Sequence, residues 1–196
     1  MEQQELKFNK YLEIANINLL KQLCIDKGTK KRFKKGEYII RKGSSKNIFG
    51  YIETGGVKYI NYTSKGEMKT VGFSFGDDFI ADLPSFLENY SDNFFDSLAI
   101  TDAQTIVDSV IYSVSYTDIQ EIENTLIKEI SRTFLIDIYN RLLSMYCDTA
   151  EQRYQKLIKK HPDILNVATL KDIASFINVT PETLSRIRRK ITFTND

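Results

Sequence analysis

Leu170-Lys-Asp-Ile-Ala-Ser-Phe-Ile-Asn-Val-Thr-Pro-Glu-Thr-Leu-Ser-Arg-Ile-Arg-Arg189 is the stretch whose reading decides the rest of the 196-residue chain. Two short helices that cross closely need a small residue at the crossing, and Ala174 supplies it. Four residues on, the chain must turn sharply, which calls for glycine or, next best, a residue that tolerates a left-handed backbone; Asn178 stands there. Apolar residues fall on both helices at Ile173, Ile177, Val179, Leu184 and Ile187. Thr169-x-x-Asp172 is a capping pattern for the first helix. Thr180 caps the second, and Pro181 takes its first position, where a missing N–H costs nothing.

The remaining face of the second helix offers Thr180, Glu182, Thr183, Arg186, Arg189 and Lys190, with Arg188 adjoining. Arg can pair in bidentate fashion with guanine, Glu can accept from cytosine, and Thr can meet a phosphate or a thymine methyl. Thr169, Thr180, Glu182, Thr183, Arg186, Arg188, Arg189 and Lys190 are therefore the candidate DNA-contacting residues of a helix-turn-helix. The plain alternative is an α-hairpin with a solvated basic face. Spacing, small residue, turn residue, caps and charge together favour the helix-turn-helix.

Upstream, Ala150–Lys160 reads as a helix ended by His161-Pro162. Before it, Ile119, Ile122, Leu126, Ile130, Phe134, Ile138, Leu142 and Met145 recur at three- and four-residue steps, widened by Ile127, Leu135, Leu143 and Tyr146. With no Gly or Pro from Thr117 to Cys147, the pattern predicts one helix of about thirty residues, roughly 45 Å long. It is too apolar on several sides for one small sheet to cover. A dimer seam on one face and a sheet on another would use both, and burial within its own domain is the alternative.

The first half reads differently. All nine glycines lie between Gly28 and Gly76. Between and after them come β-rich runs at Glu37–Arg41, Asn47–Glu53, Gly56–Tyr62, Met68–Phe75, Phe94–Thr101, Ala103–Asp108 and Val110–Ser115, the pattern of an antiparallel sandwich or barrel. A helix is expected over Tyr11–Lys27. The aromatics Phe49, Tyr51, Tyr59, Phe73, Phe75 and Phe79 read as core in preference to a ligand box. The expected class is α+β: a β-roll sensor over 1–116 with its N-terminal helix, a dimerisation helix over 117–148 and a helix-turn-helix domain over 149–196.

Composition narrows the function. The net charge is +1, yet residues 1–149 hold 18 Lys/Arg against 21 Asp/Glu, and residues 150–196 hold 9 against 5. From residue 70 to 127 there is no Lys or Arg at all, while eleven carboxylates fall there. The chain is acidic in its middle and basic at its end. A single histidine, His161, and two cysteines, Cys24 and Cys147, are too few for a metal site or an iron–sulfur cluster, so no metal and no cofactor are expected. Both cysteines read as buried packing residues, and His161 as a helix-terminal residue lying beyond the sensor domain, a poor haem ligand. No apolar run approaches the ~20 residues that span a bilayer, and the start Met1-Glu-Gln-Gln-Glu5 is no leader, so a cytoplasmic protein away from membranes is expected.

Thr149-Ala-Glu-Gln-Arg-Tyr154, Leu157, His161-Pro162, Ile173-Ala-Ser-Phe176 and Val179–Arg189 together resemble the C-terminal half of the cyclic-AMP receptor protein/FNR (Crp/Fnr) superfamily of bacterial transcription regulators. Phe33-Lys-Lys-Gly-Glu-Tyr-Ile-Ile-Arg-Lys-Gly43 and Ile48-Phe-Gly-Tyr-Ile-Glu-Thr-Gly-Gly-Val57 are similar, more loosely, to its N-terminal β-roll. The resemblance implies a homodimer on a palindromic double-stranded DNA site, with Glu182 and Arg186 reading bases and RNA polymerase as a further possible partner. The position that often carries another base-reading Arg is Pro181, so a different target sequence is expected.

Two departures matter. Members of that family that bind cyclic nucleotides carry Gly-Glu, a short loop and Arg-Ser; here the stretches are Phe79-Ile-Ala-Asp-Leu-Pro84 and Phe95-Asp-Ser-Leu98. The cassette positions are thus Ala81, Asp82, Asp96 and Ser97. A buried cyclic phosphate needs a cation, so no cyclic nucleotide binding is expected and the effector stays unnamed. Only Thr192–Asp196 follow the second helix, too few for the usual two-stranded wing, and Arg188, Arg189 and Lys190 are expected to compensate in phosphate contacts. Two other classes compete. A cupin-like enzyme would need two or three converging histidines, which this roll lacks. A ligand- or protein-binding roll that has lost DNA binding is opposed by the basic helix face.

Overall fold

The computed structural model describes residues 8–44, 48–81, 98–119 and 124–194. In these residues the first half forms two four-stranded antiparallel sheets. The strands are β1 (Thr29–Phe33), β2 (Tyr38–Ile40), β3 (Phe49–Thr54), β4 (Gly56–Tyr62), β5 (Met68–Phe75), β6 (Asp78–Ala81), β7 (Asp102–Thr105) and β8 (Ser109–Val114). One sheet runs β1-β8-β3-β6 and the other β2-β7-β4-β5. Ile40, Ile52, Val57, Ile80, Ala103 and Ile111 form the buried layer of the roll. The β3–β4 corner shows why glycine is needed: Gly55 has φ 104, and a Cβ there would fall 2.2 Å from Ser109 Oγ. The same hydroxyl accepts from the Gly56 N–H.

The helices are α1 (Ile17–Lys27), α2 (Tyr116–Ile119), α3 (Asn124–Cys147), α4 (Ala150–Lys160), α5 (Ile164–Val167), α6 (Leu170–Phe176) and α7 (Pro181–Thr194). The expected long helix is described as α2 and α3, with residues 120–123 outside the described part. Leu126, Ile127 and Ile130 pack with Phe49, Tyr51 and Phe79 of the roll and with Leu20 and Cys24 of α1. The other face of α3 is bare: Leu135, Tyr139, Leu142 and Tyr146 are 66%, 58%, 49% and 83% exposed.

Four expectations need correction. The helix expected over Tyr11–Lys27 is two pieces, a 3-10 turn at Lys10–Glu13 and then α1, because Asn16 takes a left-handed φ of 68 and interrupts it. Strand structure expected through Thr101 is absent at Leu98–Thr101, where Ala99 instead exchanges backbone bonds with Gly43 and Ser44 across a loop; residues 94–97 lie outside the described part. Strands β1 and β6 are not among the expected runs: β1 is the charged stretch Thr-Lys-Lys-Arg-Phe on an exposed sheet edge. Cys24 is buried, and burial pushes its thiol up to about 12, but Cys147 is exposed near the end of α3's bare face.

The segment before α1 is held to the roll through a buried carboxylate. Asp78 at the start of β6 accepts from the Tyr11 hydroxyl (2.6 Å), the Asn9 amide (2.6 Å) and the Phe79 N–H (2.6 Å). No cation reaches it among the described residues. Burial pushes the Asp78 carboxyl up to about 6 against those three bonds. With the folded pKa above the unfolded one, its contribution to stability is full below about pH 4 and is lost as the pH rises through about 6. Relative to Asp78→Asn, the wild-type chain is expected to lose stability over that window, by about 3 kcal/mol at most, in urea unfolding at successive pH values. A difference that stays flat with pH contradicts this reading of Asp78.

Candidate nucleic-acid interface

The local chemistry of the C-terminal half matches its sequence signals. Thr149 and Gln152 form a reciprocal capping box at the start of α4. Thr169 accepts from the Asp172 N–H at the start of α6. Asn178 has φ 56, and the Val179 N–H returns to the Ala174 carbonyl at 2.9 Å, which closes the turn over the small residue. Arg153 braces that turn from α4, donating to the carbonyls of Ile177 (2.9 Å) and Asp148 (2.6 Å). Ile164, Ile173, Ala174, Ile177 and Leu184 are buried between the helices. His161 caps the end of α4 and packs on Phe75, ring to ring at 4.1 Å; burial pulls its imidazole below its ordinary pKa, and it is neutral at pH 7.

This packing leaves the other face of α7 in solvent. Thr180, Glu182, Arg186, Arg188, Arg189 and Lys190 are exposed and Thr183 is half-buried. Thr180 and Thr183 share a hydroxyl contact (3.2 Å), and Arg186 reaches Thr183 (3.4 Å). The Glu182 backbone N–H, the Thr180 hydroxyl and the Arg186 charge hold the Glu182 carboxyl below its usual range, so it is an ionised acceptor. Lys190 meets Glu151 of α4 at 2.7 Å, and the Thr169 hydroxyl donates to Asp172 at 2.6 Å.

How this unit meets the roll has no counterpart among the sequence expectations. Lys58 of β4 reaches across to Asp172 of α6 at 2.7 Å, and both side chains are nearly buried. The Thr70 hydroxyl donates to the same carboxylate oxygen (3.0 Å), and the Thr70 N–H donates to Ser175 Oγ (2.8 Å). Burial pushes the Asp172 carboxyl up, but Lys58, Thr169 and Thr70 outweigh it and keep it ionised. Phe73, Phe75 and Ile106 of the roll belong to one apolar cluster with Tyr154, Leu157, Ile173, Ala174 and Leu184. A lysine flanked by Val57 and Tyr59 in a strand is the available signal, but its partner lies 114 residues away.

Of the cassette positions, Ala81 ends β6 and is half-buried; Asp82, Asp96 and Ser97 lie outside the described residues. A cavity of about 290 Å³ sits where the roll meets α3, walled by Tyr11, Phe49, Phe73, Phe79, Phe134 and Arg141. Phe49 and Phe79 are thus both core and cavity wall. No group of side chains able to hold a metal ion occurs among the described residues, and no described helix is long and apolar enough to cross a membrane.

Comparison with known proteins agrees with this geometry. Residues 30–125 match the cyclic nucleotide-binding domain family. Over nearly its whole length the chain has the fold of Crp/Fnr-type regulators. FixK2 from Bradyrhizobium japonicum is 17% identical, with 86% of each chain covered and a TM-score of 0.69. A CooA mutant from Carboxydothermus hydrogenoformans is 13% identical over 96% of this chain and 85% of that one, with a TM-score of 0.63. CprK in complex with OCPA is 16% identical over 91% of this chain and 84% of that one, with a TM-score of 0.62. No curated protein sequence matches the chain.

The buried pair sets an expectation. Lys58→Met removes one partner of a desolvated ion pair and is expected to cost about 3–5 kcal/mol in thermal or urea unfolding, with faster hydrogen exchange at the start of α6. A loss under about 1 kcal/mol would place the pair with exposed surface bridges.

Proposed function

We propose that the chain is a sequence-specific DNA-binding transcription regulator that acts as a homodimer on a palindromic site and is not regulated by cyclic AMP. The observation that carries this is the exposed face of α7: Thr180, Glu182, Thr183, Arg186 and Arg189 stand outward on a helix whose opposite side, Leu184, is fully buried. Such a helix can enter a major groove while α6 supports it from behind. Glu182 and Arg186 are the base readers; Thr169, Thr180, Thr183, Arg188, Arg189 and Lys190 position the phosphates. The domain division follows the same plan, with a sensor over 1–116, a dimer helix over 117–148 and a DNA-binding unit over 149–196.

The bare stripe Leu135, Tyr139, Leu142 and Tyr146 on α3 supports the dimer, because four large apolar side chains at helical spacing face water in one copy. A double substitution Leu135→Asp/Leu142→Asp is expected to give a folded monomer in sedimentation, and an unchanged dimer would move the seam elsewhere.

DNA binding is tested by titrating mixed-sequence duplex at several salt concentrations. Affinity is expected to fall steeply with salt. Changing Arg188, Arg189 and Lys190 to Ala should flatten the slope by roughly one unit for each phosphate that is no longer neutralised. Arg186→Ala is expected to relax specificity by about 1–3 kcal/mol at one base pair per half-site. Absence of salt-dependent binding would sink the proposal and favour a roll that has lost DNA binding. Calorimetry with cyclic AMP at neutral pH is expected to show no heat of binding, and micromolar affinity would contradict the reading of the cassette.

A further inference from the structure

Two polar groups are buried where the segment ahead of α1 crosses the molecule, and neither has an ion-pair partner among the described residues. Asp78 is 1% exposed and is held by neutral donors alone: the Tyr11 hydroxyl and Asn9 amide of that segment and the Phe79 N–H, with the Ser74 hydroxyl of β5 beside them. The His161 Nε2 is buried with no hydrogen-bond partner, and the Phe8 ring lies across the imidazole at 5.6 Å. Phe8 also meets Phe73 (6.2 Å) and Phe75 (5.2 Å) of β5 and Phe176 of α6 (6.2 Å). Asn9 donates in addition to the Phe73 carbonyl at 3.3 Å. The segment is thus anchored on Asp78 and wedged, through Phe8, among β5, the end of α4 and α6.

Burying a carboxylate disfavours its charged form, because neutral donors replace only part of the hydration that water supplies. Lifting the segment returns Asp78 to water. Ionisation is therefore easier with the segment lifted than seated, and by linkage the lifted form gains when the proton is lost. The surrounding groups do not cancel this. Tyr11 stays a neutral donor, since burial and Asp78 push its hydroxyl up, and Tyr59 of β4 faces it as a second phenol. Asp77, the neighbour in sequence, is paired with Lys21 of α1 at 2.6 Å and accepts from the Tyr51 hydroxyl at 2.9 Å. On α3, Asp137 is bridged to Lys160 of α4, and Arg141 lines the cavity beside Tyr11 and Ser74 without bonding to Asp78. His161 titrates in the opposite sense, gaining charge as the pH falls, and burial holds its imidazole below the ordinary value.

We propose that residues 8–13 form a proton-gated strap: with Asp78 protonated the strap is seated and fastens α4 and α6 to the roll, and loss of that proton loosens it and frees the two helices. This goes beyond the reading of α7 and does not depend on it. Burial raises the Asp78 carboxyl to about 6 from an ordinary 3.8, so the opening constant of the strap climbs between about pH 4 and 6, by on the order of a hundredfold in the limit. Mild acid seats the strap, and neutral pH leaves it at its weakest.

The test is amide hydrogen exchange of the full chain at about pH 4.5, 6 and 7.5, read as protection factors so that the intrinsic rise of exchange with pH is removed. The Leu12 and Ile14 N–H groups, bonded to the Asn9 and Tyr11 carbonyls, report the strap, and the Ile173 and Ile177 N–H groups report α6. From the lowest to the highest pH, strap protection is expected to fall about tenfold or more, with a smaller fall in α6. In Asp78→Asn, strap protection is expected to stay level. Tyr11→Phe removes a donor that favours the ionised carboxylate and is expected to extend the fall to higher pH. Phe8→Ala leaves Asp78 and its donors in place; it is expected to keep the far-UV circular dichroism spectrum and to lower α6 protection about tenfold at every pH. Level strap protection in the wild type, a fall that survives Asp78→Asn, an unshifted fall in Tyr11→Phe, the opposite slope that His161 would give, or α6 protection untouched by Phe8→Ala would each overturn the proposal.

Discussion

The ion pair between Lys58 and Asp172 joins the roll to α6, and with the apolar cluster that runs from Phe73 and Phe75 to Leu184 it sets where the C-terminal helices sit. Taking two charges out of water carries a desolvation cost of several kcal/mol per ion, offset only when geometry is fixed and the remaining valences are filled. Here they are filled: Asp172 accepts from Lys58, Thr70 and Thr169 through its carboxylate, and its own N–H donates to Thr169, all within 3.1 Å. An arrangement with so many simultaneous partners has few alternative geometries. Helix α6 is therefore held in one orientation against β4 and β5, and α7, packed on α6 through Leu184, inherits that orientation.

Two further elements share this junction. Phe8, ahead of the 3-10 turn, meets Phe73, Phe75, His161 and Phe176, and so touches the roll and the C-terminal helices at once. Asn9 and Tyr11 tie the same segment to Asp78. Arg141 reaches the junction from α3 and stacks on Phe176. The roll, the N-terminal segment and the proposed dimer helix thus all contact α6, the helix that supports the proposed reading helix. A change at any of the three has a short physical route to the orientation of α7, through packed side chains and hydrogen bonds.

Local signals are the legible ones. The capping threonines, Asn178 at the turn, Pro181 at the first helical position and the period of α3 each concern residues within a few positions of one another, and the structure shows each where the pattern puts it. The strands with alternating apolar residues, β4 and β5, match to the residue. What the sequence hides is non-local or disguised. Asp172 reads as the third residue of a capping pattern, and its N–H does donate to Thr169, but nothing nearby announces that its carboxylate receives Lys58 from the roll. Strand β1 hides in a charge run because an edge strand needs no apolar alternation, and the break at Asn16 is a single left-handed residue inside otherwise helical spacing. The cation-free middle of the chain argues against an anion held by its own residues, but Arg141 arrives from elsewhere.

The central claim is that the outward face of α7 reads DNA as one half of a symmetric dimer. Selection of duplexes from a random-sequence library by the purified full chain tests it most directly. The predicted result is recovery of an inverted repeat whose half-sites are centred about 34 Å apart, or one helical turn, as two α7 helices on a twofold axis require. Enrichment of a single asymmetric site, or no enrichment over the starting library, would contradict it.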